Sequence, residues 1–174
     1  MIRIKKYVCA DRTMKHDAFL LLGTNLGDRK RNLTIARNTI EVAIGPIIQA
    51  SATYETEAWG KVDQPHFLNQ AIAVQTDFEP LPLLQGLLQI EKQMGRERVV
   101  KWGERLIDID ILLYDKLDVH TPDLIIPHHE LANRRFALVP LAEIAANVLH
   151  PGHHVTIREL LERCPDKLTV KLVK

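Results

Sequence analysis

Leu106-Ile107-Asp108-Ile109-Asp110-Ile111-Leu112-Leu113-Tyr114 is the most sharply patterned run in the chain. In a β-strand alternate residues share a face, so Ile107, Ile109, Ile111 and Leu113 form one apolar row. Asp108 and Asp110 then point together from the other face, flanked by Leu106 and Leu112, with Cα atoms about 6.6 Å apart. Two carboxylates on one face of an apolar strand repel each other, and burying an unpaired charge costs several kcal/mol. A hard divalent cation relieves both penalties, and Mg²⁺ is commonly held by one or two carboxylates plus substrate phosphates. The alternatives are a solvated strand face at a sheet edge, or carboxylates paired with nearby arginines.

Upstream of this strand lies Gly95-Arg96-Glu97-Arg98-Val99-Val100-Lys101-Trp102-Gly103-Glu104-Arg105, a basic loop bounded by glycines. Arginine can chelate phosphate oxygens with two N–H groups, so the loop suits a clamp on a polyphosphate. Taken alone it also reads as a solvated charged loop, the commoner fate of such runs. Its position decides its interest, because it delivers the chain straight into the paired aspartates.

Further back, Pro80 opens a helix running to about Met94, with Leu84, Leu87, Leu88 and Glu91 on one face and Gly95 as its stop. Glu91 is anomalous among leucines and invites a basic partner such as Arg96 or Arg98. Two strand-like segments precede that helix, Ile47 to Thr56 and His66 to Thr76, separated by a turn-rich loop. Before them a helix spans Asp28 to Ala43, with Leu33, Ala36, Ile40 and Ala43 at helical spacing and Gly45-Pro46 as its stop. The first strand is the apolar run from Ala18 to Leu22, closed by Gly23. Beyond the aspartates, helices are expected over residues 134–145 and 157–163. The order strand, helix, strand, strand, helix, strand predicts an α+β fold: a ferredoxin-like βαββαβ sandwich with an antiparallel sheet, helices on one face and C-terminal additions.

The chain has 174 residues, with 23 Lys+Arg against 22 Asp+Glu. That balance argues against nucleic acid as a partner, since phosphate-tracking proteins carry a basic surplus. Cys9 and Cys164 are too few for a disulfide framework. No window approaches the roughly 20 apolar residues of a membrane helix, and the first residues lack the apolar middle of a secretory signal. A cytoplasmic protein is expected, with residues 1–16 a flexible extension and 17–174 one domain.

Two further groupings bear on chemistry. Phe67 and Asn69 share a strand face, where a ring and an amide could stack on and hydrogen-bond a flat heterocycle; a half-buried strand with an incidental Asn is the alternative. The pairs His128-His129 and His153-His154 lack metal-ligand spacing, because adjacent side chains point apart.

Several stretches together resemble the 6-hydroxymethyl-7,8-dihydropterin pyrophosphokinase family. They are Leu22 to Asp28, Tyr54 to Glu57, Gln64 to Asn69, and above all Gly95-Arg96-x-Arg98 through Trp102-Gly103-x-Arg105-x-x-Asp108-x-Asp110. Ile126-Pro127-His128 and Asn133-Arg134-x-Phe136 follow in the family's order. The resemblance implies the ferredoxin-like fold and pyrophosphoryl transfer from ATP to the pterin hydroxymethyl group, with AMP released. It implies that Asp108 and Asp110 hold two Mg²⁺ ions with ATP and that Arg96 and Arg105 stabilise the transferring group. Arg98, Trp102, His128 and Arg134 would hold ATP, with Ile111 beside the adenine. Thr56, Trp59, Phe67, Asn69 and Phe136 would form the pterin pocket. ATP and the dihydropterin would be the partners, with no nucleic acid and no membrane, and a monomer is expected. Four residues depart from the family's pattern: Glu57, Ala58 and Glu104 stand where proline is usual, and Trp59 where a smaller aliphatic residue is common. The rival readings are a nucleotide-sensing module without turnover and an RNA-binding sheet of similar topology. The paired aspartates and arginines disfavour the first, and the want of a basic surplus disfavours the second.

Overall fold

The computed structural model describes residues 15–57, 64–95 and 105–174. In chain order its elements are β1 (His16–Thr24), α1 (Arg29–Ala43), β2 (Ile47–Ala50), β3 (Tyr54–Thr56), β4 (Phe67–Thr76), α2 (Pro80–Gln93) and β5 (Asp108–Tyr114). They continue with β6 (Val119–His120), β7 (Ile125–Ile126), α3 (Arg135–Ala145), α4 (Ile157–Arg163) and β8 (Val170–Leu172).

The main sheet runs β5-β1-β4-β3-β8, with β2 also paired to β4, and every pairing in it is antiparallel. β4 is central and buried along most of its length, and its middle, Ala71-Ile72-Ala73-Val74, is unbroken apolar sequence covered on both sides. Leu20, Leu22, Leu68, Ile72, Ile107, Ile109 and Ile111 pack on one side against Leu33, Ala36 and Ile40 of α1 and Leu83, Leu87 and Ile90 of α2. Leu21, Ala71, Leu112 and Leu113 pack on the other against Leu138 and Leu141 of α3 and Ile157 and Leu160 of α4.

The helices expected on one face are α1 and α2, and the C-terminal additions α3 and α4 cover the other. The second apolar layer explains why: both faces of β1 and β4 are hydrophobic, and a face left bare would expose Leu21 and Ala71. Some local readings shift. α2 buries Leu83, Leu87, Ile90 and Glu91, whereas Leu88, expected inside, is exposed. The register between β1 and β5 slips after Phe19, which pairs with Leu113 while Leu20 pairs with Ile111. Leu112 is therefore the extra residue of a bulge, and Leu113 joins the α3 side instead of the isoleucine row. The expected strand over residues 47–56 is two short strands, and His16, assigned to the extension, pairs with Thr76 inside the sheet. β8 and the β6–β7 pair were not expected; each is too short to show a period.

Local chemistry sets the helix ends. The Asp28 side chain accepts from the Arg31 N–H at 3.0 Å and caps α1. Thr156 and Glu159 form a reciprocal capping box at the start of α4. Just before that box, His150 is 6% exposed, and its Nδ1 accepts from the His153 N–H at 3.2 Å. Burial, with His153 second, pushes its imidazole down to about 4. Unfolding therefore takes up a proton between that value and the ordinary 6.5, so the neutral ring's contribution is whole above 6.5 and lost as pH falls toward 4. His150→Asn, which keeps an acceptor near the Nδ1 position, should lose less stability than the parent on acidification. Melting curves taken across this range would show the gap between the two proteins changing; a constant gap refutes the assignment. No helix among the described residues is long and apolar enough to cross a membrane.

Candidate active site

The site is assembled on the α3 side of the sheet, where three adjacent strands meet in register. Gly23 of β1 pairs with Asn69 of β4 on one side and with Asp108 of β5 on the other. Directly opposed residues point to the same face, so Asn69 and Asp108 stand over a strip of bare backbone about 10 Å wide, two strand spacings. A Cβ on Gly23 would lie 3.1 Å from Asn69 Oδ1, so glycine is what lets the amide settle there.

At the β5 end, Asp108 and Asp110 share this face as their spacing predicted, while Ile107, Ile109 and Ile111 face the opposite core. The Asp108 carboxylate pairs with the Arg105 guanidinium. Asp110 is pushed up to about 7, first by burial and then by the neighbouring Asp108 charge, although Arg134 and Arg105 pull it down. A carboxyl held so far above 3.8 despite two arginines marks a place short of positive charge. Those residues fit a divalent cation. Among the described residues no group of three or more His, Cys, Asp or Glu is arranged around a metal position. Phosphate or water oxygens would complete the shell of an ion held there, as is usual for Mg²⁺.

Facing the aspartates is the segment leading into α3. The His128 N–H donates to Leu112 O at 3.0 Å, which ties this segment to β5 at the bulge. His128 Nδ1 accepts from the Glu130 N–H at 3.2 Å, and its Nε2 lies 3.4 Å from Arg134 Nη1. Burial, then the charge of Arg134, pushes the His128 imidazole down to about 4, so it is neutral at physiological pH. Arg134 lies within electrostatic reach of both aspartates, and its Cζ stands 5.8 Å from the Phe136 ring centroid. Burial lowers the Arg134 pKa, while Asp110 opposes that shift.

At the β4 end, the Asn69 amide donates to Thr56 Oγ1 at 2.7 Å, and Phe67 stands half-buried two residues earlier on the same face. The structure therefore gathers Thr56, Phe67, Asn69, Arg105, Asp108 and Asp110 on one side of the sheet, with His128, Arg134 and Phe136 on the segment opposite. Ile111 is the exception: its side chain sinks into the core under α1 and α2, on the face away from the aspartates. Only its main chain is left to meet an adenine. Trp59, Arg96, Arg98 and Trp102 lie outside the described residues.

The family model of 7,8-dihydro-6-hydroxymethylpterin-pyrophosphokinase matches residues 19–146, a span that contains every residue of this constellation. The chain belongs to that family. Among similar proteins, the 2-amino-4-hydroxy-6-hydroxymethyldihydropteridine pyrophosphokinase of Methylorubrum extorquens is 42% identical over 147 residues, covering 84% of this chain and 92% of the relative. The enzyme of the same name from Haemophilus influenzae is 36% identical over 156 residues, covering 89% and 97%. The folic acid synthesis protein fol1 of Schizosaccharomyces pombe is 34% identical, and there the match spans 90% of this chain but 22% of the relative. The Plasmodium falciparum HPPK-DHPS structure with pterin and p-hydroxybenzoate superposes with a TM-score of 0.71 at 22% identity, over 88% of this chain and 44% of that one. That likeness speaks for the fold alone.

Two residues of this pyrophosphokinase family member have structural parts that the sequence did not assign. Glu91, 2% exposed, reaches from α2 to accept the Ile109 N–H at 2.7 Å, between the two aspartates. Its place on a leucine face was the available signal, yet a loop arginine looked the likelier partner on spacing alone. Asn25, 3% exposed, bonds two segments from other parts of the chain, Gln64–Pro65 and Arg105; a polar residue directly after an apolar strand was the hint.

Proposed function

We infer that this chain transfers the pyrophosphoryl group of ATP to the hydroxymethyl group of 6-hydroxymethyl-7,8-dihydropterin, giving the pterin diphosphate and AMP in folate biosynthesis. The observation that carries the reading is the register Asn69–Gly23–Asp108, which sets an amide suited to a heterocycle edge beside a carboxylate pair suited to a metal-bound phosphate. The hydroxymethyl oxygen forms a bond to the β-phosphorus, the bond from that phosphorus to the AMP oxygen breaks, and the hydroxyl proton passes to solvent.

Asn69 and Thr56 would read the pterin edge, with Phe67 and Phe136 against its faces. Arg105 would counter charge on the transferring group, and Arg96 is assigned the same part by resemblance. His128 and Arg134, with Arg98, Trp102 and the Ile111 main chain, would hold the nucleotide; Trp59 would border the pterin. Asp108 and Asp110 would hold two Mg²⁺ ions, which supply positive charge to the triphosphate when bound. We further read the frame as ferredoxin-like over one domain, residues 17–174, supported by the order β5-β1-β4-β3 and by α1 and α2 on one face. We take the chain to act as a monomer.

Product analysis tests the reading: AMP and a pterin diphosphate from ATP, Mg²⁺ and the dihydropterin support it, whereas ADP or no turnover rejects it. Asn69→Ala should raise the KM for the pterin about tenfold, the loss of one well-placed hydrogen bond, and leave the KM for ATP nearly unchanged. Equal rises in both would remove Asn69 from the pterin edge.

A further inference from the structure

Arg29, the first residue of α1, acts on the back of the strands that carry Thr56 and Phe67. Its Nη1 donates to His66 O at 2.7 Å and to Glu55 Oε1 at 2.9 Å. Thr56 opposes Phe67 in the last rung of the β3–β4 ladder, and Glu55 opposes Leu68 in the rung before it. Opposed residues share a face, so Thr56 and Phe67 point to the cleft while Glu55 points behind the sheet with Leu68. One nitrogen thus bonds the neighbour of Thr56 and the neighbour of Phe67, from the side away from the cleft.

That rung has little else to hold it. β3 is three residues long and so is β8, its other neighbour, and ladders this short fray at their ends. Behind the rung lies a cavity of about 450 Å³, lined by Gly27, Arg29, Lys30, Glu55, Leu68 and Lys171 among others, where a packed apolar layer would otherwise brace the strands. Arg29 itself has a firm base. The Asp28 side chain caps its helix, and Asn32 Nδ2 donates to Leu26 O at 2.9 Å, which fixes the turn before it. The Arg29 and Glu55 side chains are 33% and 35% exposed, so their ion pair adds little to stability. Its effect falls on geometry instead: it sets the spacing of Thr56 and Phe67, and through Thr56 Oγ1 the direction of the Asn69 amide.

We propose that Arg29 is a positioning residue, which sets Thr56 and Phe67 for the pterin ring by clamping their strand ends from behind. The proposal rests on the pterin reading given above and adds to it a residue outside the cleft that decides how well the pocket fits.

The test is calorimetric titration of the dihydropterin into protein saturated with Mg²⁺ and a non-hydrolysable ATP analogue, with the analogue's own Kd measured beside it. Arg29→Met keeps an unbranched side chain without donors. It should raise the pterin Kd about tenfold, the size of one lost hydrogen bond, while the analogue Kd stays within about twofold and the melting temperature within about 3 °C. Arg29→Lys keeps a charged donor and should recover part of the pterin affinity. Glu55→Ala leaves the His66 contact and should fall between parent and Arg29→Met. The double variant should be no weaker than Arg29→Met alone, because both residues act through one clamp. A merely structural role would lower the melting temperature and weaken both ligands alike, with no recovery by lysine. An unchanged pterin Kd in Arg29→Met, or an equal rise for both ligands, overturns the proposal; should methionine fail to fold, Arg29→Lys and Glu55→Ala carry the same comparison. A parent that binds no pterin rejects the function itself, whereas a parent that binds it with a Kd indifferent to Arg29 rejects the positioning alone.

Discussion

Asp110→Asn should lower turnover on the order of 10³-fold, the scale on which losing one charge-stabilising group acts at a reacting phosphoryl or carbonyl centre, and should raise the melting temperature of the ligand-free protein. The two effects have one cause. The Asp110 carboxyl is buried beside Asp108 and is pushed up to about 7, so the native state pays for a charge that Arg134 and Arg105 offset only in part. The folded value lies above the unfolded one, so the native state binds the extra proton between roughly 4 and 7, and stability from this group falls as pH rises through that window. Asparagine removes the penalty while keeping the shape. The gain in melting temperature should therefore be largest above pH 7 and fade toward pH 4, and Mg²⁺ with nucleotide should stabilise the parent more than the variant. Melting curves with and without these ligands, beside an AMP-release assay, would check both halves. A variant that melts below its parent at pH 8 would remove the electrostatic account, and one with near-parental turnover would remove Asp110 from the metal site.

Glu91→Ala should be destabilising and slow together. The side chain is buried, and its Oε1 accepts from Ile109, the residue between the aspartates. Alanine leaves that N–H buried without its acceptor, at a cost of about 1–3 kcal/mol, and opens space between α2 and β5. The strand is then free to shift, and Asp108 and Asp110 shift with it. Turnover should drop by about 10–100-fold, since a displacement of 1 Å at a reacting centre has effects of that size. Glu91→Gln retains a carbonyl acceptor and should recover most of the activity. Steady-state kinetics and thermal melting of both variants separate the possibilities: loss of stability with kcat intact would confine Glu91 to the core.

Much of the site was legible because strand periodicity is a strict rule. Asp108 and Asp110 had to share a face, as did Phe67 and Asn69, and both pairs lie where period two puts them. The register between strands was not legible, because it is set by long-range pairing, and the Asn69–Gly23–Asp108 row exists only through it. The bulge at Leu112 reversed Leu113 for a similar reason: an inserted residue leaves no mark in an unbroken apolar run. The α1 cap and the α4 boundaries were readable from local chemistry, whereas the second layer made by α3 and α4 required knowing that both sheet faces are apolar. Glu91 and Asn25 escaped assignment because the groups they bond at Ile109 and Arg105 are backbone atoms far away in sequence, which no spacing argument can reach.

Gly23 has a practical corollary for inhibitor chemistry. A single compound joining a pterin-like head to a phosphate-like tail would run its tether over Gly23, where β1 offers no side chain. Resistance usually arises by exchanging a side chain that touches the drug, and here there is none to exchange. Any replacement at this codon would press on the Asn69 amide that the natural substrate itself is proposed to need. Cells passaged under such a compound should therefore acquire substitutions elsewhere, and recovery of a fit strain altered at position 23 would show the strip to be more tolerant than its geometry allows.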